Sequence, residues 1–139
     1  TVGEWDKTDC EDLGIIKVTR VVEATASGKI MNPKTSHSQE MGGVVWGIGM
    51  ALHEETDIDH RYGKMMTTDL ASYHVPVNAD IHSVITDFVE EDDKIINPLG
   101  IKGMGELCMV GVPPAIANAI YHATGKRIRD LPITPDKLL

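Results

Sequence analysis

The chain has 139 residues, enough for one domain or for part of a larger one. Its 13 basic and 21 acidic residues give a formal net charge of −8, which argues against a protein that binds the nucleic acid backbone. Apolar residues make up 42% of the chain and charged residues 24%, a balance that predicts a folded domain. The longest uncharged apolar stretch, 41–52, is shorter than the about 20 residues that a membrane helix needs. Neither nucleic acid nor membrane is therefore an expected partner.

The N-terminal part contains one strong strand signal. Residues 1–12 are polar and acidic without a repeating pattern, which indicates a leader or a frayed end before a domain over 13–139. The segment 15–24 is rich in β-branched residues and follows Gly14, so it predicts a strand. The predicted buried face of this strand has three residues: Ile16, Val18 and Val22.

A helix is predicted over 38–55, with Val45, Ile48 and Leu52 buried. Its alternative N-caps are Thr35, Ser36 and Ser38. The preceding Asn32-Pro33 pair predicts an extended or turn conformation. Four glycines lie inside the helix, and each costs about 0.5–1 kcal/mol relative to alanine. Either very close packing or the approach of the backbone to a ligand is needed to offset that cost.

The middle of the chain predicts short extended segments. A turn is expected over 57–64, where Gly63 is available for a positive φ. Strands are expected over 65–71 and 81–89. The acidic run that follows, 90–93, predicts a solvated loop.

A second helix is predicted near the C-terminus, with Ile116 and Ile120 on its buried face. Pro113 and Pro114 suit its first turn, and Gly125 suits its C-terminal cap. The tail after it has two prolines and predicts an extended arm on a surface. The order strand, helix, strands, helix predicts an α+β fold with a mixed or antiparallel sheet and two main helices.

The densest candidate for chemistry is the segment 98–106, PLGIKGMGE. Three glycines in six residues allow backbone amides to approach a bulky ligand. The P-loop pattern is absent, and the dinucleotide pattern GxGxxG would need glycine where Cys108 stands. The segment ends in Glu106, which precedes an apolar run. A general base with a raised pKa and a solvated glutamate beside a turn both fit this position.

Other catalytic patterns are weak. His53 begins the sequence HEETD, which lacks the second histidine of HExxH, and no GxSxG motif is present. Cys10 and Cys108 form neither a CxxC pair nor a zinc pattern. Cys108 fits a nucleophile paired with a histidine, but its apolar neighbours favour a small buried residue.

Four blocks of the chain, taken together, resemble the C-terminal part of molybdenum hydroxylase large subunits, the family of xanthine dehydrogenase and aldehyde oxidase. The blocks are GKIMNPKTSHSQEMGGVVWGIGMALHEET, DLASYHVPVNADIH, NPLGIKGMGE and IANAIYHATGKRIRDLPITPDKLL. Within the family, the likeness is strongest to bacterial aldehyde oxidoreductase molybdenum-binding subunits. The resemblance extends over 13–139. It implies part of a molybdenum cofactor-binding domain in an enzyme that hydroxylates an aldehyde or an N-heterocycle, with water as the oxygen source.

The resemblance also implies roles for individual residues around molybdopterin cytosine dinucleotide. Glu106 matches the active-site base, and Gln39 matches a glutamine that hydrogen-bonds the pterin. No residue matches a direct ligand of the metal. The other matching residues line the dinucleotide or form a loop whose backbone meets the cofactor: Lys29, Ile30, Met31, Asn32, Pro33, Lys34, Thr35, Lys102, Gly103, Met104 and Gly105. Many relatives have arginine in place of Lys29, and a lysine loses the bidentate grip on phosphate.

Large subunits of this family have many hundreds of residues. The resemblance therefore implies, as partners, the upstream part of the molybdenum subunit together with iron–sulfur and FAD subunits. This chain is expected to be a fragment or the product of a split or truncated gene, inactive and free of cofactor when isolated. The alternative is a non-catalytic remnant that folds, or self-associates into a homo-oligomer, without cofactor. The expected compartment is the cytoplasm, with the periplasm as the alternative.

Overall fold

The computed structural model describes the backbone of residues 2–5 and all of residues 15–139. Its strands are β1 (Val2–Trp5), β2 (Val18–Thr25), β3 (Ile58–Asp59), β4 (Lys64–Met65) and β5 (Val84–Phe88). Strands β1, β2 and β5 form one sheet in that order, and β3 pairs with β4 in a separate hairpin. Strand β2 pairs antiparallel with β1 and parallel with β5. The mixed sheet and the two helices described below confirm the predicted α+β class.

Strand β1 lies inside the stretch 1–12 that the sequence indicated as a leader or frayed end. The pairing of β1 with β2 ties this stretch to the sheet, which its polar composition did not suggest. Cys10 and the predicted domain start at residue 13 lie outside the described residues. That boundary remains a prediction.

A bulge in β2 changes which side chains face the core. The pairing with β1 passes from Arg20 directly to Val18, so Thr19 is an extra residue. An extra residue turns the following side chains to the opposite face of the sheet. Val18 and Val21 are therefore both buried, whereas the predicted Val22 is only half-buried.

Helix α1 (Pro33–Leu52) begins earlier than the predicted start at residue 38. Asn32 is its N-cap, and the Asn32 side chain accepts a hydrogen bond from the amide of Thr35 over 3.3 Å. Pro33 occupies the first turn, where its fixed φ suits the helix and its missing N–H costs nothing. The Asn-Pro pair therefore starts the helix instead of preceding it as a turn.

Close packing explains three of the four glycines within α1. The helix packs against a 3-10 helix (Glu106–Gly111) and against helix α2 (Val112–Thr124). A methyl group on Gly47 would lie 2.5 Å from Cβ of Val112, and one on Gly49 would lie 2.7 Å from Cδ of Pro76. Gly43 likewise contacts the 3-10 helix. Gly42 differs, because a methyl group there would meet no atom of the described residues within 4 Å outside the helix's own backbone.

Helix α2 matches its prediction, with two prolines in its first turn and Gly125 at its end with φ 74°. The core that it helps to form has ten buried residues: Val18, Val21, Val44, Ile48, Ala51, Val112, Ile116, Ile120, Ile133 and Leu138. Four other residues that were predicted to be buried are only partly covered: Ile16, Val22, Val45 and Leu52. In α1, Val44 is fully buried in place of the predicted Val45.

The segment after the β3–β4 hairpin is irregular, so the strand predicted over 65–71 is wrong beyond Met65. A turn follows at Asp69, because its carboxylate accepts hydrogen bonds from the amides of Ala71 and Ser72, each over 3.0 Å. Gly63 has a φ of 60° in the hairpin turn, as expected.

The C-terminal tail is part of the core and not only a surface arm. The amide of Ile133 donates to the carbonyl oxygen of Ala51 over 2.7 Å. The side chains of Ile133 and Leu138 are 1% and 8% exposed. Within the described residues, none of the helices combines the length and the apolar character needed to cross a membrane.

Candidate functional site

The two segments predicted to contact a cofactor lie side by side. The amide of Lys29 donates to the carbonyl oxygen of Gly100 over 2.8 Å. The amide of Lys102 donates to the carbonyl oxygen of Ser27 over 3.3 Å. These bonds join the strand-like start of the first segment to the glycine-rich loop of the second.

Asn97 shapes the glycine-rich loop, a role that the sequence analysis missed. Its side-chain amide donates to the carbonyl oxygen of Ile101 over 2.6 Å. Its side-chain oxygen accepts from the amides of Leu99 and Ile101 over 3.1 and 3.2 Å. An asparagine that bonds the backbone a few residues ahead is typical of a tight turn, so the Asn97-Pro98 pair carried the signal.

The loop brings Gln39 beside the predicted base. Gly105 has a φ of 86°, a conformation that favours glycine, and it directly precedes Glu106 at the start of the 3-10 helix. A methyl group on Gly105 would lie 3.5 Å from Oε1 of Gln39. The side chains of Gln39 and Glu106 are both exposed. Gln39 and Gly105, which are far apart in the sequence, therefore lie close together.

The 3-10 helix that begins at Glu106 has a buried thiol on its inner side. Cys108 is fully buried, and its sulfur lies 3.6 Å from Oγ1 of Thr25. Burial, together with the nearby carboxyls of Glu23 and Glu40, raises the pKa of Cys108 to about 11. The thiol is neutral at physiological pH, which confirms a small buried residue and disfavours a nucleophile.

The predicted dinucleotide segment divides at the start of α1. Lys29 and Met31 are exposed loop residues before the N-cap, whereas Ile30 is half-buried. The stretch 33–35 forms the exposed first turn of the helix. The first turn of a helix has N–H groups without intrahelical partners and a positive end of the helix dipole. Together with the exposed lysine side chains, this surface suits an anionic group.

A cleft of about 540 Å³ lies beside the start of this segment. It has three acidic residues in its wall, which disfavour a phosphate there. The lining residues are Gly28, Ile30, Phe88, Val89, Glu90, Glu91 and Asp92. An anionic ligand therefore fits the start of α1 better than it fits this cleft.

The acidic run beside the cleft is only partly solvated, contrary to the prediction. Nζ of Lys102 lies 2.7 Å from Oε1 of Glu91 and 3.3 Å from Oδ2 of Asp93. The Glu91 carboxylate, and then Asp93, raise the pKa of Lys102. The other oxygen of Glu91 accepts a hydrogen bond from the amide of Gly28 over 3.2 Å. Sequence spacing gave no signal of this network because its members come from separate segments.

Two glycines on the open surface are explained by neither packing nor backbone conformation. A methyl group on Gly42 or on Gly103 would meet no atom within 4 Å among the described residues, and neither has a positive φ. Gly42 lies one turn after Gln39 on α1, on the same side of the helix. Glycine at such positions lets a large ligand approach the backbone closely. Gly42 and Gly103 therefore leave room for a bulky ligand, the first beside Gln39 on α1 and the second in the glycine-rich loop.

Direct binding of a metal by side chains is not supported in the part of the chain that the structure describes. There, no group of three or more histidine, cysteine, aspartate or glutamate side chains is arranged to hold a metal ion.

Comparison with known proteins identifies the family. Residues 8–82 match the model of the molybdopterin cofactor-binding domain. The chain is 48% identical to the aldehyde oxidoreductase molybdenum-binding subunit PaoC of Escherichia coli K12 over 126 residues, which is 91% of this chain. It is 37% identical over 129 residues to the xanthine dehydrogenase molybdenum-binding subunit of Escherichia coli O157:H7, again 91% of this chain.

Solved structures agree with this result. The aldehyde oxidoreductase of Desulfovibrio gigas superposes on 93% of this chain with a TM-score of 0.79 and 30% sequence identity. The chain spans about one sixth of the length of its relatives, 17% of each curated subunit and 14% of the Desulfovibrio gigas chain. The chain therefore belongs to the molybdopterin cofactor-binding domain family, and it corresponds to one segment of molybdenum-binding subunits of the xanthine dehydrogenase and aldehyde oxidase type.

Proposed function

We propose that this segment forms one wall of the active site in a molybdenum hydroxylase and supplies its general base, Glu106. The substrate class is an aldehyde or an N-heterocycle, and water is the oxygen source. The observation that carries the proposal is the approach of Gln39 to Gly105, the residue before Glu106. This contact brings the exposed amide of Gln39 to the loop that carries the exposed carboxylate of Glu106.

In the proposed site, Glu106 accepts a proton from the oxygen nucleophile as the carbon–oxygen bond forms. A general base must lie within hydrogen-bond reach of the proton that it takes, so the placement of its loop matters as much as its basicity. The positive φ of Gly105 sets the direction of the chain at Glu106. Close packing of α1 beneath the loop holds that direction, because Gly43 contacts the carbonyl oxygen of Gly105.

Gln39 and the backbone of Lys102–Gly105 are proposed to hold the pterin. The amide of Gln39 is able both to donate and to accept hydrogen bonds, which suits a ring system with both kinds of group. When bound, the molybdenum cofactor supplies the two-electron redox chemistry that the side chains of this segment lack. Met104 is half-buried in the loop, so its side chain contributes packing rather than a polar contact.

We propose further that the cofactor carries cytosine dinucleotide and that its phosphates lie near the start of α1. The exposed Lys29 and Lys34, together with the positive end of the α1 dipole, offer positive potential there. Asn32 is the N-cap of that turn, because its side chain accepts a hydrogen bond from the amide of Thr35. The neighbouring side chains of Ile30 and Met31 are proposed to make apolar contacts with the cofactor.

The partners are proposed to be the rest of the molybdenum subunit and separate iron–sulfur and FAD subunits. Both curated relatives are named molybdenum-binding subunits, a name that implies other subunits in their enzymes. Since the predicted cofactor residues lie on an exposed surface, the isolated chain offers only one wall of a site. We therefore propose that it binds the cofactor weakly and does not turn over alone.

The test is Glu106→Gln in the complete enzyme, because glutamine keeps the volume and removes the basicity. Enzyme reduction by substrate in a single turnover should slow by about 10²–10⁴-fold. Molybdenum content, measured on the same sample, should stay at the parent level. A metallated Glu106→Gln enzyme that is reduced at the parent rate would exclude Glu106 as the base.

Two further variants separate the proposed roles. Glu55→Gln is the matched control, because Glu55 is exposed and follows the C-terminal end of α1, whereas Gln39 lies near the start of the helix. It should leave the reduction rate unchanged. Gln39→Ala should lower cofactor retention or shift the redox behaviour, because it removes hydrogen bonds to the pterin. Parent behaviour of Gln39→Ala in both measurements would exclude Gln39 as a pterin ligand.

A further inference from the structure

Lys102 connects three segments that are separate in the sequence. Its ammonium contacts the carboxylates of Glu91 and Asp93 at 2.7 and 3.3 Å. The second oxygen of Glu91 accepts the Gly28 amide over 3.2 Å. The backbone amide of Lys102 donates to Ser27 at the same place. The acidic loop, the end of the first segment and the start of the glycine-rich loop thus meet at one lysine.

The network is partly shielded from water, which makes it stronger than an ordinary surface pair. The side chains of Lys102, Glu91 and Asp93 are 23%, 28% and 25% exposed. The stem of Lys102 also packs on the backbone, because a methyl group on Gly28 would lie 3.2 Å from its Cγ. By contrast, the pair of Lys94 and Asp92 is 76% exposed on both sides. Exposed pairs of that kind contribute little.

The ammonium of Lys102 has two carboxylate partners and lies in an acidic environment. A phosphate would have to compete with both carboxylates and would be repelled by them. The cofactor loop therefore gains no phosphate ligand from this side chain. What the side chain does provide is a fixed distance between the two segments that are proposed to contact the cofactor.

We propose that Lys102 is a positioning residue: its ion pairs with Glu91 and Asp93 hold the loop that ends in Glu106 against the segment 28–35. The assignment rests on the proposed function of Glu106. The loop leaves the network at Lys102 and reaches Glu106 after only three residues, so displacement at the network is transmitted to the base. A misplacement of about 1 Å is enough to cost roughly 10²-fold in rate.

The experiment uses the complete molybdenum subunit with Lys102→Met, Glu91→Gln and Lys102→Arg. Amide hydrogen exchange is first measured without cofactor over 27–29 and 100–106. Lys102→Met and Glu91→Gln should each raise exchange in both stretches by about ten-fold or more, because charge-assisted hydrogen bonds are lost. Lys102→Arg should retain most of the protection, since it keeps the charge. Parent-level protection in Lys102→Met would overturn the proposal.

The second measurement compares cofactor content, kcat and KM in the assembled enzyme. Lys102→Met and Glu91→Gln should change these quantities in the same direction, with kcat falling about ten-fold and KM nearly constant. If Lys102 instead binds a cofactor phosphate, Glu91→Gln would raise cofactor retention while Lys102→Met lowers it. Opposite responses of that kind would overturn the positioning role.

Lys94→Met is the matched control, because it removes a lysine from the same loop region without touching the network. Lys94→Met should behave as the parent in both measurements. If it lost as much amide protection and kcat as Lys102→Met, the specific role of Lys102 would be overturned. The exchange measurement does not depend on catalysis. If Glu106 is not the base, substrate will therefore reduce the Glu106→Gln enzyme at the parent rate. If Lys102 does not position the loop, amide hydrogen exchange will be unchanged in Lys102→Met.

Discussion

Gly43 on α1 lies directly against Gly105, the residue that precedes Glu106. A methyl group on Gly43 would lie 2.9 Å from the carbonyl oxygen of Gly105 and 3.1 Å from Cβ of Cys108. The contact is with the backbone of the loop, so no flexible side chain is able to move aside. The packing of one helix thereby fixes the backbone from which the proposed base extends.

Gly43→Ala should destabilise the 139-residue chain by about 1–3 kcal/mol, because the added methyl group forces the helix and the loop apart. Urea unfolding measures the change in the free energy of unfolding. Gly42→Ala is the matched control one residue away, since a methyl group there meets no atom within 4 Å in the part of the chain that the structure describes. It should stabilise the chain by about 0.5–1 kcal/mol through helix propensity. Equal effects of the two variants would contradict this packing.

The core isoleucines of α2 should be essential for stability. Ile116 and Ile120 are 2% and 1% exposed. Each change to alanine should cost about 2–5 kcal/mol, because it removes buried apolar surface and leaves a cavity. Ile95→Ala provides the same chemical change at a side chain that is 97% exposed, and it should stay within about 0.5 kcal/mol of the parent. Thermal unfolding of the three variants tests the placement of α2.

The elements that were predicted correctly are those with local signals at both ends. Helix α2 has prolines in its first turn and a left-handed glycine at its end, so its bounds follow from nearby residues. The start of α1 was mistaken because an Asn-Pro pair is able either to precede a turn or to cap and begin a helix. The face of β2 was mistaken because its bulge arises from the pairing with β1. Such pairing is a tertiary property.

The candidate site was likewise predictable only where its signal was local in the sequence. The glycine-rich loop and its terminal glutamate were visible as a local pattern, although the pattern alone left the role of Glu106 open. Gln39 and Gly105 are separated by about half of the chain in sequence, and the distance between them follows from how α1 packs. The ion pairs of Lys102 gave no local signal either, since a run of acidic residues is usually solvated.

Glu40 is a buried carboxyl whose replacement should stabilise the chain. Its side chain is 0% exposed, and neither carboxyl oxygen has a hydrogen-bond partner among the residues that the structure describes. Burial of such a group costs about 1–3 kcal/mol. Glu40→Met removes the polar oxygens at similar volume and should raise the free energy of unfolding by an amount in that range. Glu55→Met at an exposed position is the control, and a loss of stability in Glu40→Met alone would show that the carboxyl has a stabilising partner.

Cys108 should resist thiol reagents while the chain is folded. Its side chain is 0% exposed, and its pKa is raised to about 11, mainly by burial. Reaction requires a thiol that is both accessible and deprotonated. In the folded chain, Cys108 meets neither requirement near neutral pH. In a Cys10→Ser background, so that only Cys108 is counted, alkylation at pH 8 should proceed at the rate of local opening. It should become fast in urea, and rapid labelling of the native chain would contradict the buried position.

The raised pKa of Cys108 also predicts the direction of a pH effect on stability. The unfolded thiol loses its proton near its ordinary value of 9.0, whereas the folded thiol keeps it until about pH 11. Between these values the unfolded state binds fewer protons than the folded state, so unfolding becomes more favourable as the pH rises. The contribution of Cys108 to the free energy of unfolding should therefore be fully present below pH 9 and disappear as the pH approaches 11. Cys108→Ala lacks this titration, so the difference in the free energy of unfolding between parent and variant should decline across that interval. A difference that stays constant with pH would show that the buried thiol titrates normally.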